Sequence, residues 1–197
     1  MPADKSEQVQ QNPEQMKQTW PDPLQIQLSG SGGQGLILAG IILADAALSE
    51  GYNAIQTQAY GPEARGGASR AEVILSSDLI DYPHVQRPDI LLALTQEACD
   101  KYLPSVSKEA LVIVDSLLVE RVPETQANVL QLPIIQTAKQ DLGKEMVANI
   151  VALGALNRAA ALVSPEALEK AVLKRVPKAY ADLNKKALEA GEKLVRL

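Results

Sequence analysis

Gly30-Ser31-Gly32-Gly33-Gln34-Gly35 lies between a short apolar run, Leu24 to Ser29, and a long one, Leu36 to Ser49. A strand that turns tightly into a helix leaves the first helical N–H groups unpaired and directed into one crevice. The helix dipole favours negative charge at that point. Glycines permit positive φ and bring the main chain close to a ligand. The segment therefore reads either as an anion or phosphate cradle, or as plain strand-to-helix packing. A Gly-x-Gly-x-x-Gly dinucleotide site also needs an acidic residue for the ribose about twenty residues further on. Tyr52-Asn53-Ala54-Ile55-Gln56-Thr57-Gln58 offers none, so a nicotinamide or flavin dinucleotide is disfavoured.

Open α/β sheets bind ligands beyond the carboxyl ends of their strands. The polar segments placed there are the glycine loop, Tyr60-Gly61-Pro62-Glu63-Ala64-Arg65-Gly66-Gly67, Thr95-Gln96-Glu97 and Asp115-Ser116. Arg65 sits among turn and glycine residues, as suits a cation reaching a phosphate or carboxylate, with Glu63 to orient it. A surface loop with a solvated arginine is the alternative. Arg70 and Glu72 share one face of a strand and can pair along it. Catalytic groups are thin. His84 is the single histidine and reads as a solvated loop residue, and Cys99 as a small buried hydrophobe. There is no Gly-x-Ser-x-Gly elbow, and no Lys-Ser/Thr follows the glycines as a triphosphate loop requires. No catalytic residue and no metal ligand is assigned, and the chain reads as part of a larger active site.

Composition narrows the class. With 197 residues and 46% hydrophobic content the chain can bury one good core. Aromatics are 3% and Phe is absent, so the core must be built from Leu, Ile, Val and Ala, which favours α/β layers. A net charge of −5 argues against nucleic-acid binding. One cysteine cannot make an internal disulfide, a zinc site or an iron–sulfur cluster. The Gln-rich N-terminus is neither a secretory signal nor a transit peptide, and Asp45, Asn149, Asn157 and Arg158 interrupt the long apolar runs. The expectation is a cytoplasmic protein without membrane contact: a disordered tail over 1–23 and a single domain over 24–197.

The elements follow the periods. Strands are expected at Leu24–Ser29, Ala54–Tyr60, Ala68–Ser76, Asp89–Leu94, Leu111–Val114 and Asn128–Pro133. Helices are expected at Leu36–Ser49, from an N-cap at Thr95 to Tyr102, at Met146–Val163, from a Ser164-Pro165 start to Pro177, and at Lys178–Arg196. The fold class is α/β: an open wound, mainly parallel sheet with flanking helices, Rossmann-like, with a helical C-terminus. The first and third of these helices are apolar nearly all round. Their surplus must be covered either by another subunit or by the C-terminal helices.

The glycine loop with Leu36-Ile37-Leu38-Ala39-Gly40, and then Thr57-Gln58-Ala59-Tyr60-Gly61-Pro62-Glu63-Ala64-Arg65-Gly66-Gly67-Ala68-Ser69-Arg70-Ala71-Glu72-Val73, closely resembles the gamma subunit of 2-oxoacid:ferredoxin oxidoreductases. Ile80-Asp81-Tyr82-Pro83, Ala93 to Ala98, Ile113 to Ser116 and Asn149 to Leu156 are similar in the same way. The likeness is greatest to the 2-oxoglutarate type, and an aryl-pyruvate (indolepyruvate) type or a free-standing nucleotide sensor are the alternatives. The resemblance implies a complex that decarboxylates a 2-oxoacid on thiamine diphosphate, passes electrons through iron–sulfur clusters to ferredoxin and releases an acyl-CoA. Thiamine diphosphate and the clusters would lie on alpha and beta partner subunits, and this chain alone would not be catalytic. It would support those partners and help shape the side facing coenzyme A. Gly30, Ser31, Gly32, Gly33, Gln34, Gly35, Arg65 and Arg70 are the candidate contacts. The N-terminal tail has no counterpart in the pattern.

Overall fold

In the computed structural model, which describes residues 20–59 and 68–196, six strands form one sheet in the order β2-β3-β1-β4-β5-β6. They are β1 (Leu24–Ser31), β2 (Asn53–Ala59), β3 (Ala68–Ser76), β4 (Ile90–Ala93), β5 (Leu111–Asp115) and β6 (Asn128–Leu132). β4 and β5 are buried from end to end, as expected of parallel strands covered on both faces. β1 pairs in parallel with β4, β4 with β5 and β5 with β6. β3 runs antiparallel to both of its neighbours, β1 and β2. Spacing explains the reversal: only residues 60–67 join β2 to β3, and a parallel crossover needs a dozen or more. The sheet is mainly parallel, with one antiparallel strand, β3, set between β1 and the edge strand β2.

Helices cover the two faces unequally. α1 (Leu36–Ser49) follows β1, and α2 (Gln96–Tyr102) follows β4. Leu24, Ile26, Leu28, Val73, Leu92 and Ile113 point to the face on which α1 packs, and Leu91, Ala93, Val112 and Val114 point to the α2 face. Gly40 lets α1 lie close on β3, since a Cβ there would stand 3.3 Å from Val73 and 3.4 Å from Ala71. α1 ends at Gly51, whose φ of +90° closes the helix with an N–H bond to Leu48 O.

The C-terminal half is helical and covers the α1 face. A short turn missing from the periodicity, α3 (Ile134–Gln136), continues as one wide turn through Thr137–Asp141. It is too brief to show a period, and no side chain caps its start. α4 is shorter than Met146–Val163: a tight turn over Glu145–Val147 leads into Ala148–Ala160. The Asn157 amide stops it by pairing with Val163, donating to its O at 2.9 Å and accepting from its N at 3.1 Å. α5 (Pro165–Arg175) starts from Ser164, whose hydroxyl accepts from Ala167 N. α6 (Ala181–Leu194) lies against α4 so closely that Gly154 and Gly191 each face the other helix's backbone. Every residue of α4 from Ala148 to Asn157 is buried. The surplus apolar surface of α4 is thus covered from within the chain, by α6, α1 and the turns around α3.

Trp20 and Asp22, in the stretch assigned to the tail by composition, are instead held on the domain. Trp20 is partly buried against the core, its indole N–H donating to Ala160 O at 2.7 Å, and Asp22 accepts from Ser77 N at 3.0 Å. An aromatic ring beside an open helix C-terminus gains both apolar burial and a carbonyl partner. The remainder of the tail, residues 1–19, lies outside the described residues. Among the described residues no helix is long and apolar enough to cross a membrane.

Candidate functional site

α1 leaves β1 toward one face of the sheet, and α2 leaves β4 toward the other. The crevice beyond the carboxyl ends of β1 and β4 is therefore the switch point at which open α/β sheets take ligands. The glycine turn forms its edge. Gly30 is buried, and a Cβ on it would overlap the Gln34 side chain and approach Leu94 Cβ to 3.3 Å. Gln34 closes the turn: its Oε1 accepts from Ser31 N at 2.8 Å, and its own N–H donates to Ser31 O at 3.3 Å. The Ser69 hydroxyl donates to Gly30 O at 3.2 Å. Gly33 and Gly35 hold φ values of +88° and +73°, where a side chain is strained. Gly32 needs neither a positive φ nor space, and a Cβ there would meet nothing within 4 Å. Ser31, Gly32 and Gly33 are exposed.

α1 has Gly35 as its N-cap residue, no side-chain cap and no acidic residue in its first turn. Fourteen residues of aligned peptide dipoles thus end in uncapped amides beside an exposed glycine turn. This arrangement can accept an anionic group by backbone hydrogen bonds alone.

The other segments named from sequence divide. Thr95 caps α2 by accepting from Ala98 N at 3.3 Å. Gln96 is held by Asp100 and by both main-chain polar groups of Arg121. Glu97 accepts from Ala68 N at 3.3 Å and Tyr102 donates to Ala68 O at 3.4 Å, so α2 grips the first residue of β3. Asp115 is no ligand residue. It is fully buried, and its carboxylate accepts from Leu117 N, Leu118 N and Ile135 N at 2.8–3.0 Å, tying the end of β5 to α3. Arg65 lies outside the described residues.

Arg70 stands opposite Ser29 in the sheet register, next to the glycine turn but on the α2 face. Its Nε lies 3.3 Å from Oε1 of Glu72, forming the pair that alternation predicts. Glu72 is buried under the loop after β3. It also accepts from Thr57 Oγ1 at 3.0 Å and Val85 N at 3.4 Å, with the exposed His84 3.8 Å away. This carboxylate is consumed in holding the loop and Arg70. Cys99 is fully buried, and burial, then the charge of Asp100, push its thiol pKa up, so it is a poor thiolate. A four-thiolate cluster does not fit this chain.

Sequence reasoning missed Asn149. It is buried at the start of α4, and its Nδ2 donates to Gly35 O at 3.1 Å. A polar residue opening an otherwise apolar helix was the available signal.

The profile of the pyruvate ferredoxin/flavodoxin oxidoreductase family matches residues 25–194. The chain belongs to this family. It is 46% identical over 175 residues to the 2-oxoglutarate synthase subunit KorC of Methanocaldococcus jannaschii, covering 87% of this chain and 94% of that one. Among solved structures, the gamma subunit of a keto/oxoacid ferredoxin oxidoreductase from Geobacter sulfurreducens PCA is 51% identical with a TM-score of 0.79, covering 86% of this chain and 96% of its own. The chain is thus a gamma subunit of a 2-oxoacid:ferredoxin oxidoreductase, part of an oxidoreductase complex. The same fold, at 23% identity and a TM-score of 0.79, occurs in the 2-oxoglutarate:ferredoxin oxidoreductase from Magnetococcus marinus with 2-oxoglutarate, coenzyme A and succinyl-CoA bound. The match covers 88% of this chain and 31% of that longer one.

Proposed function

We propose that this gamma subunit serves a cytoplasmic complex that converts 2-oxoglutarate and coenzyme A to succinyl-CoA and carbon dioxide while reducing ferredoxin. In this reading the glycine turn takes a phosphate group of coenzyme A. Thiamine diphosphate and the iron–sulfur clusters belong to alpha and beta subunits. The 2-oxoglutarate reading is supported by the 46% identity to KorC, which extends over 94% of that chain. The coenzyme A reading is carried by one observation: the exposed Gly32-Gly33 turn beside the uncapped start of α1, at the switch point between β1 and β4. Arg70, oriented by Glu72, supplies positive charge at the same end of the sheet, and Arg65 is proposed as a second cation for the same ligand.

Gly32→Asp tests the turn directly, because a side chain there meets nothing within 4 Å and the backbone needs no unusual φ. In the reconstituted complex it is expected to raise KM for coenzyme A by roughly tenfold or more, since like charges about 5 Å apart near a surface repel by a few kcal/mol. KM for 2-oxoglutarate should stay the same. Unchanged coenzyme A kinetics would remove the turn as its site.

Arg65→Ala is expected to weaken coenzyme A by an amount corresponding to roughly 1.5–3 kcal/mol, the loss of one charged hydrogen bond. If Arg65 instead holds a subunit interface, the variant complex will dissociate at moderate salt with its coenzyme A kinetics intact.

A further inference from the structure

We infer that Asn149 positions the glycine turn, holding the start of α1 in the conformation that receives an anion. This rests on the reading of that turn as the coenzyme A phosphate site.

Three buried asparagines lie in the helical half, and two of them act locally. Asn157 pairs with Val163, six residues on, and Asn184 donates to Tyr180 O, four residues back. Asn149 reaches across 114 positions of sequence to Gly35 O. Its setting makes a polar residue expensive. The residue is 4% exposed and is followed on α4 by Ile150, Val151, Ala152 and Leu153, all buried. Burying an amide there carries a desolvation penalty, and asparagine is a weaker helix former than alanine or leucine. Packing alone would be served better by leucine. What the amide adds is a contact with one peptide group of the glycine turn.

That peptide group is the one that matters for an anion. Gly35 O accepts from Asn149 Nδ2 and also from Ala39 N at 3.0 Å, the first bond of α1. A trans peptide is planar, so its C=O and the following N–H point in opposite directions. With the Gly35 carbonyl held toward α4 and the helix, the Leu36 N–H is held outward, at the positive end of α1. Gly35 has φ +73°, a left-handed conformation in which a side chain is strained, and the bond from Asn149 is a second hold on the peptide that Ala39 N already engages. The two residues also specify each other. A Cβ at Gly35 would come within 2.6 Å of Asn149 Nδ2, so the amide fills the space that a side chain would need. Gln34 and Ser69 brace the turn at Ser31 and Gly30, and Asn149 braces its far end. An anion site built from backbone amides gains affinity when those amides are already aimed before binding.

The test uses the complex reconstituted from all its subunits, with Asn149→Leu, which keeps the branched shape without the amide, and Asn149→Ala, which keeps the helix should the bulkier leucine disturb packing. Gly32→Asp is run alongside. Steady-state rates are measured against coenzyme A and, separately, against 2-oxoglutarate. Both Asn149 variants are expected to assemble, to raise KM for coenzyme A by roughly fivefold, the size of one neutral hydrogen bond, and to leave KM for 2-oxoglutarate and kcat at saturating coenzyme A unchanged. Wild-type coenzyme A kinetics in both, with Gly32→Asp impaired, would overturn the role of Asn149 and leave the phosphate site standing. If Gly32→Asp is also without effect, the phosphate site itself falls and the inference with it. A loss of assembly, or an equal fall in rate with every substrate, in both Asn149 variants would assign the residue to folding and overturn the positioning role.

Discussion

Gly191→Ala is expected to destabilise the purified subunit by about 3 kcal/mol or more, the upper range for overpacking a closed interior. One methyl group suffices because of where it goes. A Cβ at Gly191 would lie 2.8 Å from Ala155 N and would overlap Val151 O, both backbone atoms of α4. A side chain can rotate away from such a clash, whereas a helix backbone must move as a body. Gly154 is the reciprocal contact, its space occupied by Leu188 O of α6. The two helices must separate to admit the methyl group, and the buried faces of both lose contact. For a domain of this size the unfolding midpoint should fall by roughly 6–12 °C. Gly32→Ala is the control, since its added methyl meets nothing within 4 Å and should change stability by less than about 0.5 kcal/mol. Equal midpoints for Gly191→Ala and Gly32→Ala would show that α4 and α6 do not meet backbone to backbone.

Leu153→Asp and Leu43→Asp should prevent the subunit from folding at all. They are 1% and 0% exposed, in the apolar cluster that α4, α1 and the sheet share, where no lysine or arginine is buried among the described residues. An unpaired buried charge costs several kcal/mol even after its pKa shifts, and the lost leucine contributes about 2–5 kcal/mol more, together a large share of a domain's whole stability. Read from sequence, these positions could equally have faced a partner subunit, and the two cases differ in outcome. An interface residue would let the free subunit fold and impair only assembly. A core residue removes soluble, folded subunit before assembly begins. Met146→Asp, at a position 70% exposed just before α4, should leave the free subunit folded. Folded Leu153→Asp subunit with a normal unfolding midpoint would place that face outside the core.

The local features of this chain were legible because each depends on a few neighbouring residues. α1 runs from Leu36 to Ser49 as its apolar run predicts, Thr95 and Ser164 cap the helices they precede, and Arg70 meets Glu72 two positions along one strand. Glycines at a strand-to-helix junction mark a tight turn whatever surrounds them, and Gly33 and Gly35 do adopt positive φ. The family was legible too, because the segment from Thr57 to Val73 is an unusual combination of residues. Other features depended on pairs far apart in sequence, and periodicity carries no information about those. The place of β3 between β1 and β2 is a matter of sheet order, although the short join at 60–67 already required it to oppose β2. Asp115 looked like a ligand at a strand end until α3, twenty residues on, delivered the Ile135 amide to its carboxylate. Whether α4 was covered by a partner or by this chain turned on Gly154 and Gly191, two residues without side chains that allow α6 to lie directly on it. Asn149 read as a break in an apolar run, and only the docking of α4 beside the glycine turn brought its amide to Gly35. Sequence determines the conformations available to a short segment. A buried polar group finds its partner, and an apolar face its cover, only when the whole chain has packed.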